Sequence, residues 1–262
     1  MSRISAKNGT PVGQAKGIAS VETAARLLRV LEAGPDSMSL TEIAASAGFP
    51  ASKAHHYLVS LTRAGLVERD KSGTRYRLGS FALQLGLTAL NRMQTHRFIP
   101  DALRSLRDKI GHTTLFATWS PLGPMVTDYE ECVGGLGVSV RPGTVLPMVN
   151  SPCAAIFIAW LPDALLAQVL DGFADPGLTP SRLVKIREQT RREGGAHAAG
   201  VRSPQIASVA APVFGRGRQL VGALVTLGLM GQFDDHPSSE ISLLLRDQAS
   251  QLSAKLASMG LP

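Results

Sequence analysis

Residues 39–78 contain two stretches whose apolar positions follow a helical period, and then one whose apolar positions alternate. The first helical stretch has apolar residues at i, i+3, i+4 and i+7: Leu40, Ile43, Ala44 and Ala47. Ser39-Leu40-Thr41-Glu42 has the form of a capping box, and Gly48 suits the end of this helix. A second helix, opened by Pro50 and ended by Gly65, repeats the spacing at Ala54, Tyr57, Leu58 and Leu61. The pair predicts a helix-turn-helix.

Polar and cationic residues cover the other side of the second helix. At about 100° per residue, the positions opposite or beside the buried stripe are Ser52, Lys53, His55, His56, Ser60 and Arg63. No acidic residue occurs from Pro50 to Val67, so this face can approach a polyanion without like-charge repulsion. We predict that these six residues contact duplex DNA. A solvated surface helix in an ordinary bundle is the alternative, but the capping box, the turn and the following strands favour DNA binding.

The alternating stretch predicts a basic hairpin, with strands at Leu66–Arg69 and Thr74–Leu78 around the turn Asp70–Gly73. Alternation places Arg75 and Arg77 on one face, and Tyr76 and Leu78 on the other. We expect the phosphate backbone or a minor groove to be contacted by Lys71, Arg75 and Arg77. An upstream helix with the predicted buried stripe Val21, Ala25, Leu28 and Leu31 completes a winged helix-turn-helix domain in residues 18–79.

Helices and strands alternate again in residues 96–262. The pattern predicts helices at 99–110 and 239–258, a helix opened by Thr179-Pro180, and strands at 113–118, 125–129, 208–214 and 220–229. It indicates an α+β domain with helices on a largely antiparallel sheet. Residues 80–95 read as a helix with apolar residues on more than one side. That pattern fits either a helix packed inside one domain or a linker helix.

These stretches resemble the IclR family of bacterial transcription regulators. The resemblance extends from Ile18 onward, through 20–24, 40–44, 50–58, 65–69 and 76–79, and through Leu146-Pro147, 159–162 and 209–214. It implies a winged domain that binds a double-stranded DNA operator, and a GAF-like α/β domain whose small-molecule effector alters DNA affinity. It also implies a homodimer or homotetramer. We expect a repressor, with a metabolite-responsive activator as the alternative.

In related regulators a small carboxylate is held by the helix start after the Leu-Pro, by a cysteine ahead of the Ala-Ala-Pro segment, and by two serines. Here the last three positions are Ser208, Val225 and Leu227. Because two hydroxyl donors are lost, we expect an effector with an apolar or aromatic part, and Ser208 or Arg202 as a polar contact. The predicted effector-binding residues are Phe116, Trp119, Met125, Asn150, Ser151, Cys153, Ala154, Ser208, Val225 and Leu227. The alternative is that these apolar side chains close the pocket.

Charge and length agree with this division. The 262 residues suit two domains. Residues 1–79 hold 11 Lys and Arg against 6 Asp and Glu, a net charge of +5 out of the total of +7. The basic excess therefore lies in the part predicted to bind DNA. The predicted organisation is a mobile basic tail at 1–17, the winged domain at 18–79, the linker helix at 80–95 and the effector domain at 96–262.

Other classes of protein find little support. Two cysteines, Cys132 and Cys153, without a signal-peptide pattern predict free thiols in the cytoplasm. No apolar stretch reaches the roughly 18 residues of a membrane span, so we expect no membrane association. The chain has no HExxH pair, no phosphate-binding Gly-Lys-Ser/Thr loop and no nucleophile elbow. We therefore expect neither an enzyme nor a bound cofactor or metal.

Overall fold

The computed structural model describes residues 17–132, 140–170, 177–199 and 205–261, and the chain divides into two compact units between Arg92 and Met93. Residues 1–16 of the predicted tail, and Arg202, lie outside the described residues. Within the described part, no helix combines the length and the apolar character that crossing a membrane requires.

In its described residues, 17–92, the N-terminal unit contains four helices and a small antiparallel sheet. Its elements are α1 (Ala19–Ala33), β1 (Met38–Ser39), α2 (Leu40–Ala47), α3 (Ala51–Arg63), β2 (Val67–Arg69), β3 (Arg75–Leu78) and α4 (Ser80–Arg92). The strands lie in the order β1–β3–β2. Helices α1, α2 and α3 enclose a core of fully buried leucines and isoleucine: Leu27, Ile43 and Leu58. The winged helix-turn-helix prediction is thereby confirmed at the level of the elements.

Two sequence-based expectations for this unit differ from the structure. Val21 is 63% exposed; Leu31 is buried as predicted, and Leu27, which was not in the predicted stripe, is fully buried. Leu27 and Leu31 are also one helical turn apart, and the packing of α1 against α2 and α3 selects their side. Leu78, predicted on the same strand face as Tyr76, is 42% exposed whereas Tyr76 is buried, because β3 gives way to α4 two residues later. Strand β1, only two residues long, was not predicted.

The C-terminal unit is built on a five-stranded antiparallel sheet. Its strands are β4 (Thr113–Ser120), β5 (Gly123–Glu130), β6 (Ala196–Ala199), β7 (Ile206–Phe214) and β8 (Leu220–Leu229). They lie in the order β5–β4–β8–β7–β6. Its helices are α5 (Ile99–Ile110), α6 (Pro152–Trp160), α7 (Asp163–Leu170), α8 (Pro180–Glu193) and α9 (Glu240–Ser258). The α+β prediction is confirmed, and β6 is a strand that the sequence pattern did not indicate.

Helices cover both faces of this sheet and create two separate cores. Helices α5 and α9 pack on one face, around Leu103, Phe116 and Leu252. Helix α6 packs on the other face through Ile156 and Phe157, and α8 packs against α6 in turn. Because side chains alternate between the faces of a strand, each sheet residue belongs to one core or the other.

Candidate DNA-binding surface and effector cleft

Local features of the sequence define the start and the end of α2. The Ser39 hydroxyl accepts from the Glu42 amide at 3.3 Å, and the Glu42 carboxylate accepts from the Ser39 amide at 2.7 Å. These two bonds confirm the predicted capping box. At the other end, Gly48 adopts a φ of 69°, a left-handed conformation that glycine reaches without strain. Pro50 then stands at the N-cap, so α3 begins one residue later than predicted.

Helix α3 has a buried side and a polar, cationic side. Ala54, Leu58 and Leu61 are buried against α1 and α2. Five of the six predicted contact residues are exposed, and His55 is half-buried; the exposed five are Ser52, Lys53, His56, Ser60 and Arg63. The Ser60 hydroxyl donates to the His56 carbonyl at 3.2 Å, which leaves its lone pairs available outward. In the part of the chain that the structure describes, neither Lys53 nor Arg63 forms an ion pair.

Phe49 holds two cations at the start of α3. The Lys53 ammonium lies 4.6 Å from the Phe49 ring centroid, and the Arg26 guanidinium of α1 lies 5.3 Å from it. Cations at these distances are attracted to the ring and are restricted in position. Arg26 was missed by the sequence reasoning, since only the tertiary packing of α1 brings it beside the turn.

Arg75 and Arg77, the two hairpin arginines predicted to contact DNA, bind other residues of the N-terminal unit. The Arg75 guanidinium donates to the Ser37 hydroxyl at 3.1 Å, to the Ser37 carbonyl at 2.9 Å and to Glu42 at 3.0 Å. Arg77 pairs with Glu68 at 2.8 Å. Hydrogen bonds from Ser39 hold the pKa of Glu42 below its ordinary value, and Arg75 lowers it further. Arg75 therefore ties β3 to the start of α2, a role that the strand alternation does not reveal.

The tip of the hairpin is ordered around Asp70. Its carboxylate accepts from the Ser72 hydroxyl at 2.7 Å and from the amides of Thr74 and Arg75 at 3.2 Å. These bonds, the Ser72 contribution being the largest, lower the pKa of Asp70. Lys71 extends from this turn and is exposed. Behind it, Arg69 donates to the Tyr76 hydroxyl at 3.0 Å.

A cleft of about 400 Å³ opens in the C-terminal unit between the start of α6, α8 and β6. Asn150 and Ser151 line it, as predicted residues, and Ser151 caps α6 by accepting from the Ala154 amide at 3.3 Å. Arg182 of α8 donates to the Asn150 side chain and, at 2.9 Å, to the Gly177 carbonyl. Sequence reasoning missed Arg182, which lies 32 residues from Asn150.

Charge and apolar surface are separated within this cleft. Its apolar lining includes Met148, Ile158 and Ile186. Glu193 lies on the β6 side, 3.6 Å from the Nε2 atom of His197. A carboxylate is therefore favoured near Arg182 and Ser151, with its apolar part along the isoleucines and methionine.

The remaining predicted effector residues occupy different places. Ser208 pairs with Leu227 and with Ala198, which lines the cleft, so Ser208 lies on the α6 side of the sheet. Four other predicted effector residues lie on this side of the sheet: Trp119, Cys153, Val225 and Leu227. Ala154 is fully buried next to them, between α6 and α8. Burial also raises the pKa of the Cys153 thiol, which keeps it neutral.

Phe116 and Met125 do not belong to this group. Phe116 lies in the core under α5 and α9, while its neighbours Leu115 and Ala117 face α6. Met125 pairs with Thr118, which is on the same side as Phe116 by strand alternation. Their predicted role as walls beside Trp119 is wrong, because the sheet itself separates them from the cleft.

Comparison with known proteins assigns the two units. The IclR helix-turn-helix domain model matches residues 20–71, and the model of the bacterial transcriptional regulator IclR C-terminal domain matches residues 87–254. The chain belongs to the IclR family. It is therefore a DNA-binding transcription regulator and not an enzyme.

Relatives across the family match nearly the whole chain. The glycerol operon regulatory protein of Streptomyces griseus is 28% identical, over 92% of this chain and 98% of its own length. The transcriptional repressor IclR of Escherichia coli is 25% identical, over 98% of both chains. The crystal structure of Pseudomonas aeruginosa HmgR has a TM-score of 0.72 and 28% identity, over 92% of this chain and all of that one.

Proposed function

We propose that this IclR-family regulator is a cytoplasmic repressor that reads its operator with α3 and releases it in response to a small carboxylate. The observation that carries the DNA-binding part is the exposed, acid-free side of α3. Ser52 and His56 are best placed for base edges, since they lie in the first half of the recognition helix. The cations Lys53, Arg63 and Lys71 would contact phosphates, joined by Arg26 through its contact with Phe49.

Arg75 and Arg77 contribute differently under this proposal. Arg75 positions the hairpin through Ser37 and Glu42, and Arg77 shares its charge with Glu68. Their contacts with DNA require these pairs to be exchanged for phosphate. The test starts with selection of bound sequences from a random duplex pool, and then compares the selected operator with scrambled DNA. A chain that enriches no sequence would contradict the proposal.

The effector is proposed to bind in the cleft between α6, α8 and β6. Its volume falls in the range of roughly 300–1,000 Å³ typical of small-molecule sites, and Arg182 supplies a positioned guanidinium. We infer an acid with an apolar or aromatic part. Binding to the native state raises apparent stability, so a thermal-shift screen of aliphatic and aromatic acids tests it.

Arg182→Gln is the decisive variant for the cleft. It should remove the stabilisation given by the active acid, because a charge-assisted contact to the carboxylate is lost. Lys185→Gln is a matched control, an equal loss of charge at an exposed position of the same helix. If both variants respond to the acid as the parent does, the cleft is not the effector site. If no acid stabilises the protein, the result supports the alternative that apolar side chains close the pocket.

Repression is proposed from the names of relatives, one of which is a transcriptional repressor. A reporter placed behind the selected operator distinguishes the two modes. Expression should fall when the regulator is present and recover with the acid. An increase in expression on adding the regulator would establish the activator alternative.

Helix α4 is proposed to pair two copies of the chain. It carries no charged residue from Ser80 to Asn91, and none of its residues is buried within its own unit. Leu83 and Leu87, one helical turn apart, are 63% and 51% exposed. Helix-turn-helix proteins read two half-sites as dimers, so a second copy is the occupant we infer. The double variant Leu83→Arg, Leu87→Arg should be monomeric in light scattering, whereas Thr88→Arg, on another side of α4, should keep the oligomeric state of the parent. Monomeric parent protein would contradict this.

A further inference from the structure

A second groove, of about 490 Å³, lies in the C-terminal unit along α9 and the end of β7. It shares no lining residue with the cleft between α6 and α8. Its floor on α9 consists of small side chains, including Ala249, Ser250 and Ala254. Because these side chains are short, they leave a space beside the helix that larger residues would fill.

Three arginines line this groove, and each is anchored by a neutral group. The Arg191 Nε donates to the Ala159 carbonyl at 2.7 Å, and Arg246 donates to the carbonyls of Glu193 and Pro237 at 3.3 and 2.8 Å. The Arg218 guanidinium lies 5.3 Å from the Phe214 ring centroid. Carbonyls and a ring hold a guanidinium in place without neutralising its charge.

The positive charge of the groove is therefore uncompensated. Among the residues that the structure describes, its lining contains no aspartate or glutamate. Within the described ranges, none of the three arginines forms an ion pair. A guanidinium has five N–H donors, and the hydrogen bonds above use only one on Arg191 and two on Arg246. Donors remain on each of them for an incoming anion.

An aromatic pair provides a flat apolar wall. Trp160, at the end of α6, and Phe214, at the end of β7, meet edge to face with ring centroids 5.6 Å apart. Both line the groove together with the arginines. Aromatic rings add stacking and edge contacts for another ring, while the guanidiniums favour a carboxylate.

We propose that this groove is a second ligand site, and that it binds an aromatic carboxylate. The volume suits one small molecule, and the lining joins charge for the carboxylate with rings for the apolar body. The two pockets have different lining residues, and they are adjacent, since Arg246 of the groove donates to the carbonyl of Glu193, which lines the cleft. The C-terminal unit would then hold two acid-binding sites, one in the cleft and one in this groove.

The chain contains two tryptophans, Trp119 and Trp160, and only Trp160 lines this groove. Full-length Trp119→Phe therefore reports on the groove through Trp160 fluorescence. Titration with benzoate should give a saturable change. Benzamide, of the same shape but neutral, and acetate, charged but without a ring, should each give at least a tenfold weaker response.

Arginine variants in the Trp119→Phe background locate the binding. Arg218→Gln should weaken benzoate binding about tenfold or more, because a charge-assisted contact is lost. Arg104→Gln, an exposed arginine already paired with Asp101, is the matched control and should leave it unchanged. Arg182→Gln should also leave it unchanged, which separates this groove from the effector cleft. Far-UV circular dichroism and thermal midpoints verify folding.

Four results would overturn the proposal: no saturable change, an equal response to benzamide, equal losses in Arg218→Gln and Arg104→Gln, or a signal abolished by Arg182→Gln. A Trp160 change that follows protein concentration and not benzoate would show that a second copy of the chain covers the groove. A change produced by duplex DNA alone would assign the groove to nucleic acid.

Discussion

Lys71→Ala is predicted to reduce the salt dependence of DNA binding by the equivalent of one phosphate contact per protomer. The proposal places four cations of the N-terminal unit on phosphates, and none of the four has a carboxylate partner among the described residues: Arg26, Lys53, Arg63 and Lys71. Each phosphate contact adds about 0.9 to the slope of log affinity against log salt concentration. The structure therefore predicts a slope of roughly −3.6 per protomer and about −7 for a dimer.

The loss at Lys71 has a defined size. A change of about 0.9 in slope per protomer means that, between roughly 50 and 200 mM salt, the variant loses about 3.5-fold less affinity than the parent as a monomer, and about 12-fold less as a dimer that has lost two contacts. Fluorescence anisotropy with a labelled duplex of random sequence measures this, since phosphate contacts are independent of sequence. Lys109→Ala, an exposed lysine at the end of α5, is the control for charge alone.

The reasoning about the wing is refuted if the slope of Lys71→Ala equals that of the parent. It is also refuted if Lys109→Ala lowers the slope by the same amount, because the effect then reflects net charge and not a contact at the hairpin tip.

Three further predictions concern the recognition helix, the wing and a half-buried histidine. His56→Ala should reduce discrimination between operator and random DNA by roughly 5- to 150-fold, and equal losses on both would contradict a base contact. Arg75→Ala should weaken binding to both DNAs alike and lower the thermal midpoint of the N-terminal unit; Arg75→Lys should not rescue it, because an ammonium lacks the fork that reaches Ser37. Burial lowers the pKa of His112; its contribution to stability is complete above about pH 6.5 and is lost as pH falls toward the lowered pKa. In thermal melts, His112→Phe should lose less stability than the parent as the pH falls. A pH profile of the thermal midpoint equal to that of the parent would contradict this role of His112.

Local signals in the sequence were sufficient to predict the helices α2 and α3 of the helix-turn-helix. The capping box of Ser39 and Glu42, the left-handed Gly48 and the helical period of α3 each depend on residues within a few positions of one another. Such short-range rules hold whatever surrounds them. The exposed face of α3 follows directly, since its buried stripe leaves only one side for solvent.

Choices between equivalent patterns depended on tertiary packing. Two stripes of α1 have the spacing of a buried face, and only the contact with α2 and α3 buries Leu27 and exposes Val21. Phe116 and its neighbours in β4 lie on opposite faces of the sheet, as strand alternation predicts. The sequence does not reveal which of the two faces borders the cleft.

Amino-acid order alone determined the family, the winged helix-turn-helix and the α+β class of the second unit, because helical period, strand alternation and turn residues are local properties. The fold decided that Arg75 holds Ser37 and Glu42, that Arg26 joins Phe49, and that Arg182 meets Asn150. Those contacts link residues that are 23 to 38 positions apart in the sequence. Such residues come close in space only when the chain has folded around its core.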